Sequence, residues 1–351
     1  MSQPSDTPED LVVGRLASQF GVRAQGVWAA PGRVNLIGEH TDYNGGLCLP
    51  IALPLRTWAA ATRRADDLIR VSSVDLDEVA EVPLADVAPG VPDGWAGYVA
   101  GVLWALREAG YRVGGLDLAV TSTVPIGAGL SSSAAIEGAV AAAASDLFGL
   151  GLLGDPDDPA SDAGRAVLAR ACQRAENQIV GAPTGGLDQT AALRSRAGFA
   201  LLIDFGHDAA VSLVPFDLTA HGLTLVVMDT HAAHSLVDGQ YATRRSDCER
   251  AAAILGVRTL GDVPADRLDD ALAALPDEAL RRRARHVVTE IDRVRRTCAA
   301  LARDDFAQVG RLFDASHASL RDDYQVSCPE LDVACQAALD AGALGARMTG
   351  G

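Results

Sequence analysis

No lysine occurs anywhere in the 351 residues; all 30 basic side chains are arginine. That absence excludes a P-loop lysine, the strand lysine of protein kinases and any Schiff-base chemistry. An enzyme that uses a nucleotide on this chain has to hold phosphates with backbone amides, arginine and a metal ion. Cysteine is sparse and unpatterned. Positions 48, 172, 248, 298, 328 and 335 form no CxxC pair and no disulfide framework, which points to a reduced, cytoplasmic setting. Long apolar runs are missing as well. The best candidate for a membrane span, Ala134 to Ala144, is mostly alanine and is broken by Glu137, so no membrane span is expected. Met1 to Asp10 carries acids and prolines without a basic n-region, and no signal peptide is expected. The formal charge of −16 disfavours nucleic acid and anionic membrane as partners.

What is present reads as mixed α and β without repeats. Helices are expected over 8–20, 95–109, 134–148, 165–180 and 329–341. Strands are expected over 25–30, 55–61, 68–73, 116–124, 199–204 and 223–229, with a Gly/Pro/Asp-rich surface loop at 150–162. The run Arg281–Arg285 reads as a solvated basic face. His231 and His234 mimic an HxxH pair but have no third ligand nearby, so zinc is not expected.

Three stretches carry chemistry. Arg33 to Asp42 packs a guanidinium, two carboxylates and an imidazole into ten residues, between Ala30-Pro31-Gly32 and Asn44-Gly45-Gly46, where turns are expected. Burying such groups unpaired is costly, so a loop converging on a ligand rich in hydroxyls competes with a plain solvated loop. Pro125 to Ala135, Pro-Ile-Gly-Ala-Gly-Leu-Ser-Ser-Ser-Ala-Ala, joins a strand to a helix. Its glycines let amides approach an anion, its serines can cap the helix, and the helix N-terminus presents free N–H groups. It is equally an ordinary Gly-rich turn when taken alone. Lastly, Glu176 lies near a helix end, and Asp188 follows twelve residues later beyond Gly181-Ala182-Pro183-Thr184-Gly185-Gly186. In isolation these are a surface carboxylate and a helix cap.

The order of residues separates the readings. Arg33-Val34-Asn35-Leu36-Ile37-Gly38-Glu39-His40-Thr41-Asp42-Tyr43-Asn44-Gly45-Gly46 resembles the sugar-binding signature of galactokinases, in the GHMP small-molecule kinase superfamily. Gly129-Leu130-Ser131-Ser132-Ser133-Ala134 resembles the nucleotide motif of the same superfamily. The resemblance runs from Ala30 to the last glycine and implies ATP and Mg2+ as cofactors. It places Gly127, Ala128, Gly129, Leu130, Ser131, Ser132 and Ser133 at the phosphates, and Ser133 with Glu176 on the metal. It makes Asp188 and Arg33 catalytic, with Asp188 either a general base or an electrostatic positioner of the sugar hydroxyl. It assigns Glu39 and His40 to the primary hydroxyl and Asp42 to two ring hydroxyls. Thr41, Gly185 through its backbone, and Tyr241 complete the substrate set.

The fold it implies is α+β with two domains: a mixed-sheet N-terminal domain over 1–205 and a ferredoxin-like C-terminal domain over 206–351. The family's third motif, after Met348-Thr349-Gly350-Gly351, would lie beyond the last residue, so the C-terminal domain is expected to be truncated. The implied activity is ATP-dependent phosphorylation of D-galactose at its anomeric hydroxyl by a monomeric enzyme. A kinase for N-acetylgalactosamine or arabinose, and a non-catalytic galactose and ATP sensor, stand as alternatives.

Overall fold

The computed structural model describes residues 6–155, 158–232 and 237–350. Internal contacts divide the chain into two compact units, Met1–Arg33 with Ala52–Ser195, and Val34–Ile51 with Arg196–Gly351. Residues 34–51, which the sequence places in the N-terminal domain, therefore group with the C-terminal half. The elements run α1 (Pro8–Phe20), β1 (Gly26–Asn35), β2 (Leu47–Cys48), β3 (Pro50–Arg63), β4 (Leu68–Ser73) and β5 (Val79–Pro83). Then come α2 (Ala96–Glu108), β6 (Leu116–Ser122), α3 (Ser132–Leu147), α4 (Asp162–Ala175), α5 (Leu187–Arg194), β7 (Phe199–Asp204) and β8 (Ala210–Pro215). Helices α6 (Val237–Leu255), α7 (Leu268–Ala274), α8 (Glu278–Leu301), α9 (Phe306–Ser319) and α10 (Pro329–Asp340) complete the order. No helix among the described residues is long and apolar enough to cross a membrane.

The first unit is built on a five-stranded mixed sheet ordered β1-β3-β6-β4-β5. Strands β3 and β6 are antiparallel, with Ala60 opposite Ala119, whereas β4 runs parallel to β6. Side-chain alternation gives the sheet two apolar faces. One packs against α1 through Val12, Leu16, Ala60 and Ala119. The other packs against α2, α3 and α4 around Leu103, Leu106, Leu118, Val140 and Leu168. Small residues set the spacing here. A Cβ on Gly101 would lie 2.9 Å from the Ala175 Cβ, and one on Gly138 would lie 2.9 Å from the Ala30 Cβ. The alanine-rich run expected to be too weak for a membrane is thus a close-packed core helix.

The second unit holds a three-stranded sheet ordered β2-β7-β8 and the helices from α6 onward. Helix α8 is the central helix of this unit. Asp277 caps it by accepting from the Leu280 N–H, and Leu280, Ala284, Val287, Val288, Ile291 and Val294 form its buried stripe. Three expectations of local structure change in these two units. Residues 30–32 are strand rather than turn, since Pro31 is tolerated on β1 at the sheet edge. Residues 223–229 are not strand; the apolar run Val226, Val227 and Met228 is exposed, with no described strand pairing it. Finally, Arg281–Arg285 is not a solvated face throughout. Arg283 is buried and donates to the Asp323 and Tyr324 carbonyls at 2.8 Å, and Arg281 donates to the Leu272 and Leu275 carbonyls.

Candidate active site

In the first unit, the end of β1 runs beside the Gly-rich loop. Gly32 is needed there because a Cβ would sit 2.7 Å from the Leu130 carbonyl oxygen, which itself accepts from the Arg33 N–H at 3.1 Å. This approach delivers the Arg33 side chain to its partners. Its Nε donates to Asp188 Oδ1 at 2.8 Å, Nη2 lies 2.7 Å from the same oxygen, and Nη1 donates to the Gly129 carbonyl at 2.5 Å. One guanidinium therefore ties Asp188 to the Gly-rich loop. Asp188 stands in the first turn of α5, after Gly186 in the left-handed region. Its second oxygen, Oδ2, accepts from the Ser131 hydroxyl at 2.5 Å. The Arg33 side chain is 8% exposed and that of Asp188 is 24% exposed, so the pair is embedded with the carboxylate facing outward.

Ser131 corrects one expectation. It does not cap α3 with its side chain; it adopts φ 60 at the N-cap and spends its hydroxyl on Asp188. The loop around it has the openness an anion needs. Gly127 and Gly129 both have positive φ, and a Cβ at Gly127 would meet nothing within 4 Å. Gly127 is exposed, Ala128 and Gly129 are half-buried, and Leu130 anchors the loop with a buried side chain. Ser132 and Ser133 form the first residues of α3, whose early N–H groups have no intrahelical acceptor.

Behind the loop lies a cluster that the sequence only half disclosed. Glu176 opens a π-helical segment, Glu176–Val180, between α4 and Gly181, and is buried. π-segments recur at functional sites because the wider turn re-aims side chains. The Gln189 amide donates to both Glu176 Oε2 and Glu137 Oε2, and both Glu137 and Gln189 are fully buried. Thr184 Oγ1 also donates to Glu176, and the Ser133 hydroxyl hydrogen-bonds it. Burial, and then the negative charge of Asp188, push the Glu176 carboxyl up to about 7. Burial and Glu176 raise Glu137 well above the usual carboxylate range. Glu137 was visible in the sequence as the lone acid within an alanine helix, and Gln189 as the neighbour of Asp188, but neither carries a motif. Gly185 is half-buried in the turn before α5.

In the second unit, the loop 36–46 returns sharply on itself. Gly38 has φ 99, and a Cβ there would lie 2.4 Å from the Leu47 carbonyl oxygen. Thr41 is fully buried, its hydroxyl 2.9 Å from the Gly38 carbonyl and 2.7 Å from the Leu47 carbonyl, so it fastens the loop from inside. Glu39 is buried and well supplied with donors. Oε2 accepts from Asn35 Nδ2 at 2.9 Å, while Thr349 Oγ1 and the Gly350 N–H each approach Oε1 at 3.1 Å, with Arg347 at 3.3 Å. A carboxylate accepts about four hydrogen bonds, two per oxygen, which leaves Oε2 with capacity for another donor. His40 has φ 62; its Nδ1 lies 3.0 Å from the Tyr43 hydroxyl, and its buried Nε2 has no hydrogen-bond partner among the described residues. The ring stacks on Tyr324 at 4.6 Å, and Tyr241 on α6 is 5.8 Å away. Asp42 begins a 3-10 turn, Asp42–Asn44, with its side chain half-buried. His231 is exposed and pairs with Asp229 at 3.2 Å, and His234 lies outside the described residues.

Burial lowers the His40 imidazole well below its ordinary value and brings His286 down to about 4, so both rings are neutral at pH 7. In the unfolded chain His286 protonates near 6.5, so acidification favours unfolding from that pH down to about 4. The shift corresponds to roughly 3 kcal/mol. Glu176 works in the opposite sense, since a raised carboxyl favours the folded state as pH falls below 7. A comparison of variants isolates the imidazole. Denaturant titrations between pH 6.5 and 4.5 should show a shallower loss of stability in His286→Gln than in the parent protein.

Both units thus carry clusters of polar and charged side chains, and comparison with known proteins gives the family. The galactokinase galactose-binding signature matches residues 15–63, the GHMP kinases N terminal domain residues 97–196, and the GHMP kinases C terminal domain residues 298–351. A galactokinase from Streptomyces coelicolor is 52% identical over 339 residues, covering 96% of this chain and 84% of that protein. One from Mycobacterium tuberculosis is 50% identical over 324 residues, covering 92% and 85%. The crystal structure of Lactococcus lactis galactokinase complexed with galactose superposes with a TM-score of 0.84 at 32% identity, covering 96% of this chain and 86% of that one. Methanococcus jannaschii mevalonate kinase, at 17% identity and a TM-score of 0.57, shares the fold. With half its residues identical to galactokinases over nearly its whole length, and with the sugar signature and both GHMP domains matched, this chain belongs to the galactokinase family of GHMP kinases.

Proposed function

We propose that this protein transfers the γ-phosphoryl group of ATP to the anomeric hydroxyl of D-galactose, giving α-D-galactose 1-phosphate and ADP. The observation that carries the reading is Asp188, a partly exposed carboxylate held by Arg33 and Ser131 at the edge of an amide-rich phosphate loop. In that position Asp188 orients the sugar hydroxyl and takes its proton late, as the phosphoryl group passes through a loose transition state. Arg33 fixes the carboxylate and stabilises charge developing on the transferring group. Residues 127–133 cradle the phosphates with backbone amides, in a chain that has no lysine for the task.

The donor set fits magnesium. A buried carboxylate whose proton affinity is raised, with a serine hydroxyl bonded to it, offers the one or two protein oxygens that magnesium takes alongside phosphate and water. Ser133 and Glu176 would hold Mg2+, which when bound neutralises charge on the nucleotide phosphates. The double variant Ser133→Ala, Glu176→Gln should raise the magnesium concentration giving half-maximal turnover by about tenfold or more. Unchanged turnover at low magnesium would remove both residues from the metal site.

Sugar recognition falls to Glu39 through its remaining capacity on Oε2, His40 through Nε2, Asp42, the backbone of Gly185, and Tyr241. Thr41 contributes by fixing the loop rather than by touching the sugar. A cytoplasmic, monomeric enzyme is part of the proposal, resting on the six unpatterned cysteines for location. ADP release with galactose, glucose, N-acetylgalactosamine and arabinose tests substrate choice. Galactose should be the preferred acceptor; a faster rate with another sugar would reassign the substrate. Galactose binding without turnover would make the protein a sensor.

A further inference from the structure

Helix α8 carries two groups that an amphipathic helix has no structural need for. His286 and Glu290 are four residues apart, hence on one face, and both are fully buried. A buried imidazole and carboxylate are costly to desolvate, and apolar residues of similar volume often stabilise a core as well or better. Each makes one hydrogen bond to the same short stretch of backbone. Glu290 Oε1 accepts from the Gly38 N–H at 3.0 Å and from Ser316 Oγ at 2.6 Å, while Oε2 accepts from Arg293 Nε at 2.6 Å. His286 Nε2 lies 3.1 Å from the Glu39 carbonyl oxygen, and Nδ1 faces the Ser319 hydroxyl at 2.9 Å. A carbonyl oxygen only accepts, so Nε2 carries the proton and donates. The ring is held further by Tyr324, 4.5 Å away, which also stacks on His40.

We propose that His286 and Glu290 form a clamp that positions the Gly38-Glu39-His40 backbone, and thereby set galactose affinity without touching the sugar. The inference rests on the assignment of Glu39 and His40 to sugar recognition. Gly38 and His40 both have φ in the left-handed region, a backbone shape that its surroundings must hold, and Glu290 and His286 grip the Ile37–Gly38 and Glu39–His40 peptide groups. A clamp lost from such a loop misplaces both recognising side chains together, which acts on sugar binding and leaves the nucleotide side untouched.

The test compares replacements at His286 by galactose affinity, using calorimetry and the rise in melting temperature with galactose alone, alongside KM for galactose and for ATP. A glutamine amide reaches the Nε2 position and can still donate to the Glu39 carbonyl; an asparagine amide stops at the Nδ1 position. His286→Asn and His286→Leu should weaken galactose binding and raise its KM by about tenfold or more, with KM for ATP within about twofold. His286→Gln should stay within about threefold of the parent protein. If His286→Leu fails to fold, the asparagine and glutamine variants alone decide. Equal galactose affinity in His286→Asn and His286→Gln, with the parent protein binding galactose, overturns the clamp. A parent protein whose melting temperature ignores galactose overturns the reading of the sugar site itself.

Discussion

Asp188→Asn should lower kcat by about a thousandfold while galactose affinity stays within about tenfold. The amide preserves the shape and still offers one oxygen to Arg33 or Ser131, so the loop and α5 keep their places. It cannot take the proton of the attacking hydroxyl, and it removes the charge that Arg33 was built against. Steady-state kinetics with a separate galactose titration checks this. Turnover near that of the parent protein would take Asp188 out of the mechanism, and a large loss of galactose binding with modest loss of kcat would make it a sugar ligand instead.

Arg33→Lys is the second large effect, despite conserving charge. The guanidinium makes three directed contacts at once, two to Asp188 and one to the Gly129 carbonyl, in a planar fork that an ammonium cannot reproduce. Lysine can satisfy the carboxylate or the loop, but not both in the same geometry. The expected loss in kcat is about a hundredfold or more, in the range seen when a preorganised donor is removed from a developing charge. Because Arg33 is also embedded, a lower melting temperature should accompany it. Full activity in Arg33→Lys would reduce its role to charge alone.

Much of this was legible in the residues. Pro8, the acids of the opening turn and Gly21 at the close mark α1 to the residue, and the strand expected over 68–73 is β4. The glycine positions flagged the loops at 127–133 and 36–46 because both need backbone shapes that other residues resist. What escaped was what depends on long-range partners. The 223–229 run has strand composition, yet no described strand pairs it. Arg283 has the look of a surface residue in a basic run and is buried because Asp323 and Tyr324 offer it carbonyls. Ser131 resembles a helix cap and instead serves Asp188 from 57 residues away. Glu137 and Gln189 could be read only once the fold had brought them to Glu176.

The most direct measurement is the phosphorus and proton NMR spectrum of the product formed from ATP, magnesium and galactose. The account predicts a sugar phosphate whose phosphorus couples to the anomeric proton in the α configuration, formed together with an equal amount of ADP. A phosphorus coupled to any other position, or ADP formed at the same rate without sugar, would contradict it.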